Sequence, residues 1–327
     1  MDKQIIFNKT SVLILILALA FILRITGINN NPPSMYGDEL TMLLDVNSIL
    51  HTGFDITGKF LPLNFEMGGG RPVGYGYFSL PFVAIFGPTT LSIRLLSVLS
   101  GVGIVFLIYL LGKFLFFKEV GYVAALLTAI SPWDLSLSRG GFETHFALFL
   151  GLLAVVLFLM AEKRPWFYVI SALSFGLSIN TYSTYKLSLS LFLPLLLWFT
   201  NFKERFSNNK GYLVASALIV VLFILLLIFQ ALFTSSETRF LNLNIFAQKE
   251  TKNQITQSVN EKRNLSSTNQ EISKLFHNKL WEYGYLLGTS YLNNFSVDFL
   301  FLTGDKNPRH NMASSGSLYM AEIFLIF

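Results

Sequence analysis

The sequence predicts an all-α integral membrane protein with several spans, and three observations carry that prediction. Hydrophobic residues make up 53% of the 327 positions and charged residues only 13%, where ordinary soluble domains carry about a quarter charged. The apolar residues arrive in runs of roughly 17 to 25, the length a helix rising 1.5 Å per residue needs to cross about 30 Å of hydrocarbon. Short alternating segments of the kind a membrane barrel requires do not recur. Lipid admits only helices and closed barrels, because every backbone polar group must be satisfied internally.

In chain order, spans are expected at Ser11 to Ile28, Leu91 to Phe114, Val120 to Leu137, Thr144 to Ala161, Trp166 to Tyr182, Leu187 to Phe202 and Tyr212 to Phe233. The apolar run Val12 to Leu23 follows Lys3 and Lys9 and precedes Arg24, with no small-residue cleavage pattern before Asn29, so it reads as a retained helix. Lys3, Lys9, Lys113, Lys118, Lys163, Arg164, Lys203, Arg205 and Lys210 fall on one side, and the short connections opposite carry only Arg139 and Lys186. The rule of positive cytoplasmic loops sets the N-terminus inside and the long loop 29–90 outside, in a multi-pass protein of the plasma membrane. An eighth run opens near Ser317 and stops at Phe327, short of the roughly twenty residues a span needs. The expected organisation is a transmembrane module over 1–233, an extracytoplasmic region over 234–316, and the start of a truncated eighth span over 317–327 of a longer polypeptide.

Within loop 29–90, Asp38 to Leu50 is amphipathic, with Leu40, Leu43, Leu44 and Ile49 near helical spacing and Gly53 as its stop. It is expected to lie along the membrane interface. Tyr75 to Phe86 is apolar but too short to span, so it reads as a second interfacial or re-entrant piece. The region after Thr234 is polar from Glu237 to Asn278 and then aromatic. The net charge of +5 resides at the ends of apolar runs, not on a basic face interleaved with aromatics, which argues against a nucleic-acid partner. The absence of cysteine excludes disulfides, thiol nucleophiles and Cys-ligated zinc.

Candidate chemistry gathers in the outer loop. Asp38 and Glu39 follow Pro32-Pro33-Ser34-Met35-Tyr36-Gly37 just beyond the first span. A carboxylate there can accept a proton from a hydroxyl that attacks an electrophilic carbon; it can equally satisfy the free N–H groups and dipole of a helix N-terminus, and for the acid pair alone that structural role is preferred. Three cations on the same side shift the balance: Arg71 after Gly68-Gly69-Gly70, Arg139, and Lys186. Such cations bind phosphate, Arg by a forked pair of hydrogen bonds and Lys as a point charge, although Arg139 or Lys186 taken singly reads as snorkelling at a helix end. Glu143 stands four residues after Arg139, so a pair on one helical turn is as good a reading as substrate contact. The glycines 68 to 70 form no P-loop, lacking Gly-Lys-Ser/Thr, and read as a turn presenting Arg71. His310 has no metal-ligand spacing around it and is read as an acceptor contact or a loop hydrogen bond.

The order of these signals resembles the GT-C superfamily of membrane glycosyltransferases, in the branch holding protein O-mannosyltransferases and the aminoarabinose transferases that modify lipid A. The residues that carry it are Arg24, Gly37-Asp38-Glu39, Arg71-Pro72 running to Leu80-Pro81 and Phe86-Gly87, Arg94-Leu95, Ser131-Pro132-Trp133, Ser138-Arg139-Gly140-Gly141-Phe142-Glu143, and Asn307-Pro308-Arg309-His310. The resemblance implies a dolichyl- or undecaprenyl-phosphate sugar as donor and a hydroxyl on protein, glycolipid or polysaccharide as acceptor. It implies Asp38 as the catalytic base of an inverting displacement, with Glu39 beside it orienting Asp38 or the loop. Arg71 stands where relatives often have Lys-Pro-Pro, which implies a donor-phosphate role stabilising the departing charge; Arg139 and Lys186 are further phosphate candidates. Glu143, Arg309 and His310 are possible acceptor or loop contacts. No cofactor is implied, and no metal cluster is legible. A transporter or flippase is the alternative from another class, since intramembrane charges also mark translocation paths. An oligosaccharide transferase of the same superfamily would need a divalent metal.

Overall fold

Lipid-length apolar runs become helices, as the need to satisfy every backbone group within the segment requires. The computed structural model describes residues 9–66, 70–233, 246, 248–266, 270–307, 309–311 and 315–326, and divides into two units, Met1–Ser236 and Glu237–Phe327. Lys3, Gly68, Gly69, Pro308 and the stretch 234–245 lie outside the described residues.

The first unit opens with α1 (Lys9–Ile25), followed by α2 (Gly37–Thr52) and the two-residue antiparallel strands β1 (Asn64–Phe65) and β2 (Arg71–Pro72). Then come α3 (Gly74–Phe86), α4 (Thr90–Leu115), α5 (Lys118–Ile130), α6 (Pro132–Ser138) and α7 (Glu143–Met160). The unit closes with α8 (Phe167–Ile179), α9 (Tyr185–Phe199), α10 (Phe202–Asn208) and α11 (Lys210–Phe233).

The expected seven lipid-length spans are not seven lipid-length helices. Among the described residues α4, α7 and α11 are long and apolar enough to cross a membrane, and α5 with α6 makes a fourth if the pair counts as one span bent by 58°. The expected span Val120 to Leu137 breaks at Ser131 because Pro132 has no N–H to donate and disfavours helical backbone before it. Helices α1, α8 and α9 have 17, 13 and 15 residues, so α8 and α9 cover only roughly 20 Å each at 1.5 Å per residue.

Helix α4 is the hub, packing against α1, α3, α5 and α7. Ile16 and Ala20 of α1 and Ala125 and Ala129 of α5 meet Val105 and Tyr109 of α4 in one buried cluster. Small residues set the α4–α5 distance: a Cβ on Gly121 would sit 2.7 Å from the Tyr109 carbonyl, and one on Gly112 3.0 Å from the Gly121 Cα, the close approach that membrane helices achieve through small residues. A second cluster joins Met42, Leu43, Val46 and Ile49 of α2 to Phe65, Tyr75, Ile93 and Phe146. The amphipathic reading of α2 therefore needs correction: Leu40 and Leu44 are exposed, and the buried stripe runs through Met42, Leu43, Val46 and Ile49. The residues that dock α2 follow from its N-terminal anchor, described below, not from its leucine spacing.

The second unit contains α12 (Lys249–Leu265), α13 (Gln270–Phe276), α14 (Lys279–Asn293), a π-helical turn at Asp298–Leu302, a 3-10 turn at Met320–Glu322 and α15 (Ile323–Ile326). Ile255 and Val259 are buried on α12. Glu282 ties α14 to α12 by accepting from Ser258 Oγ at 3.1 Å and Lys262 Nζ at 2.6 Å.

Because Gly121 faces backbone, no side-chain rotation can relieve a larger residue there. Gly121→Leu is expected to cost about 1–3 kcal/mol of stability, measured as a lower thermal midpoint in detergent. Gly211→Ala, at a position with open space around it, is the control that leaves the midpoint nearly unchanged.

Candidate active site

The site is built on the first turn of α2. Tyr36 precedes the helix in extended conformation, and its N–H donates to Glu39 Oε2 at 2.9 Å, so the acid closes its own helix N-terminus. Arg94, projecting from the first part of α4, grips the same carboxylate with both arms, Nε to Oε1 at 2.8 Å and Nη2 to Oε2 at 2.9 Å. The remaining Arg94 donors reach the carbonyls of Ile28 at 2.8 Å, Pro32 at 3.1 Å and Ser34 at 2.9 Å. The Gly141 N–H adds a fourth donor to Glu39 at 2.6 Å. Both side chains are fully buried. The Glu39 carboxylate is enclosed and taken up by protein donors, an anchor of the loop, which is one of the two orienting roles expected of it beside Asp38.

Asp38 points the other way, with its side chain 55% exposed. Arg71, 3% exposed, forms an ion pair with Asp38 Oδ1 through Nη2 and donates to the Asp38 carbonyl through Nη1 at 2.8 Å. Its position is set by Gly70, whose φ of +87° suits glycine, and by the β1–β2 ladder that opposes Arg71 to Phe65. Glu143, at the start of α7, lies on the far side of the guanidinium, Oε1 3.7 Å from Arg71 Nε. That Nε is buried without a hydrogen-bond acceptor. A half-exposed carboxylate, a buried cation with one unsatisfied N–H, and a second carboxylate thus stand in a row.

Other expected site residues are placed differently. The Arg139–Glu143 pair does not form, because the Gly140-Gly141-Phe142 turn separates α6 from α7 and the two residues share no helical turn. Arg139 instead donates to the carbonyls of Leu23 at 2.7 Å, Arg24 at 3.3 Å, Thr26 at 2.7 Å and Asn31 at 3.2 Å. It caps the end of α1, where carbonyls lack helical partners, so its fork is not offered to a phosphate as expected. Lys186, in the first turn of α9, is half-buried and forms no ion pair among the described residues. Arg309 and His310 belong to the second unit, where His310 Nδ1 lies 2.9 Å from Asp305 Oδ2, the loop hydrogen bond that was one of its two expected roles.

One buried group was missed. Asp134 on α6 pairs with Arg24 of α1 and, at 2.9 Å, with His145 Nε2 of α7. Arg24 also donates to the carbonyls of Ala20 at 2.9 Å and Ala129 at 3.0 Å. The signal was present: Arg24 and Asp134 both fall inside expected spans, and an ionisable residue there requires a partner. Among the described residues, no group of three or more His, Asp or Glu side chains is arranged to hold a metal ion.

The fold has known counterparts. The fold is that of the GT-C integral membrane proteins, and residues 70–229 match the family of dolichyl-phosphate-mannose-protein mannosyltransferases. ArnT from Cupriavidus metallidurans in the apo state shares 16% identity at a TM-score of 0.53 over 66% of this chain and 42% of its own. The same protein bound to undecaprenyl phosphate shares 16% at 0.53, over 67% and 42%. The archaeal oligosaccharyltransferase AglB from Archaeoglobus fulgidus, in complex with an inhibitory peptide and a dolichol-phosphate, shares 19% at 0.52 over 88% of this chain and 37% of its own. The chain thus spans less than half the length of these structures. No curated protein matches it in sequence.

Two outcomes test this architecture. Glu39→Ala leaves Arg94 as an uncompensated buried charge and is expected to cost about 3–5 kcal/mol, read as a lower thermal midpoint and faster proteolysis of loop 29–90. The second concerns Asp45 on α2, buried in the loop region outside the spans, whose Oδ1 accepts the Ile56 N–H at 3.1 Å. Burial, joined by Asp55 nearby, pushes its carboxyl above the usual aspartate range against the pull of the Ile56 N–H and Arg71. A raised folded value makes the protonated form the stabilising one, so this contribution is full below the unfolded pKa of about 3.9 and fades as pH climbs through the folded value. Asp45→Asn, which keeps an acceptor for Ile56, is expected to melt above wild type at neutral pH and to converge with it in acid.

Proposed function

We propose that this protein is a membrane glycosyltransferase that moves a hexose or pentose from a polyprenyl-phosphate donor to an acceptor hydroxyl at the extracytoplasmic face, with inversion. The observation that carries the reading is the Asp38–Arg71 pair, in which a half-exposed carboxylate is positioned by a buried cation at one end of a GT-C bundle. In this scheme Asp38 takes the proton of the acceptor hydroxyl as its oxygen attacks the anomeric carbon. The bond from that carbon to the phosphate oxygen breaks, and its electron pair leaves with the lipid phosphate. No water and no covalent glycosyl-enzyme is required, unlike in hydrolases that work with two carboxylates.

Arg71 serves the departing phosphate. A phosphate oxygen beside the guanidinium would gain a charge-assisted hydrogen bond that strengthens as charge develops. Lys186 is the second cation assigned to the phosphate. Glu143 balances Arg71 from the side away from Asp38, which helps hold the guanidinium in place. Undecaprenyl phosphate and dolichol-phosphate in the ArnT and AglB structures support a lipid phosphate as the carrier. The charge asymmetry of the short loops supports the outward-facing site.

Asp38→Asn in the full-length protein is expected to lower the transfer rate by about 10²–10⁴-fold while the donor lipid still binds. Arg71→Gln is expected to weaken donor binding and transfer together. Both are read by glycoside formation from a labelled polyprenyl-phosphate sugar in proteoliposomes, and undiminished transfer by the Asp38→Asn protein would overturn the mechanism.

A further inference from the structure

Helices α4 and α7 both start at the candidate site, through Arg94 and Glu143, and both end at a cleft. From Arg94 to Lys113 the rise is roughly 28 Å and from Glu143 to Met160 roughly 26 Å, at 1.5 Å per residue. These lengths approach the ~30 Å thickness of the hydrocarbon layer, so the cleft stands about one hydrocarbon thickness from the end of the bundle that carries Asp38. It encloses about 540 Å³ between the end of α4 and the α7–α8 connection.

The lining divides by chemistry. Leu110, Phe114, Met160 and Phe167 make an apolar floor, and Lys113, Lys163 and Arg164 stand at its edge. All three cations are exposed, and among the described residues none forms an ion pair. Among the described residues no carboxylate lines the cleft, and the adjacent acid, Glu162, is turned to Arg205 at 3.3 Å. A cationic edge on two chain segments above an aromatic floor asks for a ligand that is anionic at one end and apolar at the other.

We propose that this cleft binds an anionic glycerophospholipid of the leaflet opposite Asp38, its phosphodiester on Lys113, Lys163 and Arg164 and its upper acyl chain across Phe114 and Phe167. Basic pockets between membrane helices attract anionic head groups, and the Arg164 fork matches phosphate oxygens. A zwitterionic lipid fits less well, because its ammonium would lie among three cations, and no carboxylate among the described residues lines the cleft. The lipid would tie the end of α4 to the α7–α8 turn. The assignment does not depend on the glycosyl-transfer reading.

Native mass spectrometry of the full-length protein, titrated with phosphatidylglycerol or phosphatidylcholine in detergent, tests it. Wild type is expected to retain phosphatidylglycerol about tenfold more strongly or better, as about 1 kcal/mol per basic residue allows. The variant combining Lys113→Gln, Lys163→Gln and Arg164→Gln is expected to fall to the phosphatidylcholine level. The charge-preserving variant combining Lys113→Arg, Lys163→Arg and Arg164→Lys is expected to keep the preference, which separates lost charge from lost folding. Equal retention of the two lipids by wild type, undiminished phosphatidylglycerol on the glutamine variant, loss of preference in the charge-preserving variant, or displacement of phosphatidylglycerol by inorganic phosphate alone would each overturn the assignment.

Discussion

The end of the first unit that carries Asp38 depends on the buried pair between Glu39 and Arg94. A bidentate carboxylate–guanidinium contact has a fixed plane and direction, and here it crosses from the first turn of α2 to the first part of α4. The spare donors of Arg94 pin the carbonyls of Ile28, Pro32 and Ser34, and the spare capacity of Glu39 takes the N–H groups of Tyr36 and Gly141. One ion pair therefore fixes the exit from α1, the entry to α2 and the turn before α7. Taking two charges out of water is expensive, and the site offsets that cost by giving nearly every donor and acceptor a partner. Asp38, one residue from Glu39, inherits its position from this anchor.

A second buried group does comparable work deeper in the bundle. Arg24, Asp134 and His145 join α1, α6 and α7 at the place where Pro132 interrupts the helix. The Pro132 break is thus braced: Arg24 donates to the Ala129 carbonyl at the end of α5 and pairs with Asp134 in the first turn of α6. Charge inside a membrane bundle is tolerated only when paired in this way.

Neighbouring acids with opposite fates show where the sequence is legible and where it is not. Adjacent helical residues point in different directions, so Asp38 and Glu39 could never share one environment. Asp38 and Arg71 were both marked from sequence, by position after the first span and by the company of other cations. Their direct contact was not, because 33 positions separate them and the short β1–β2 ladder that turns Arg71 back has only two residues in each strand. Arg139 was misread for a similar reason: its four acceptors are backbone carbonyls more than a hundred positions away, and a carbonyl carries no mark in the amino-acid code.

Composition and periodicity determined that this chain is helical and built for lipid, where each apolar run must close its own backbone hydrogen bonds. Those are local properties, set by transfer free energy and helix rise. Tertiary structure alone decided which of two adjacent carboxylates is buried, which arginine meets Asp38, and which helices are too short to span alone. Those outcomes turn on directional pairing between side chains and distant backbone groups, and that geometry exists only once the helices have packed.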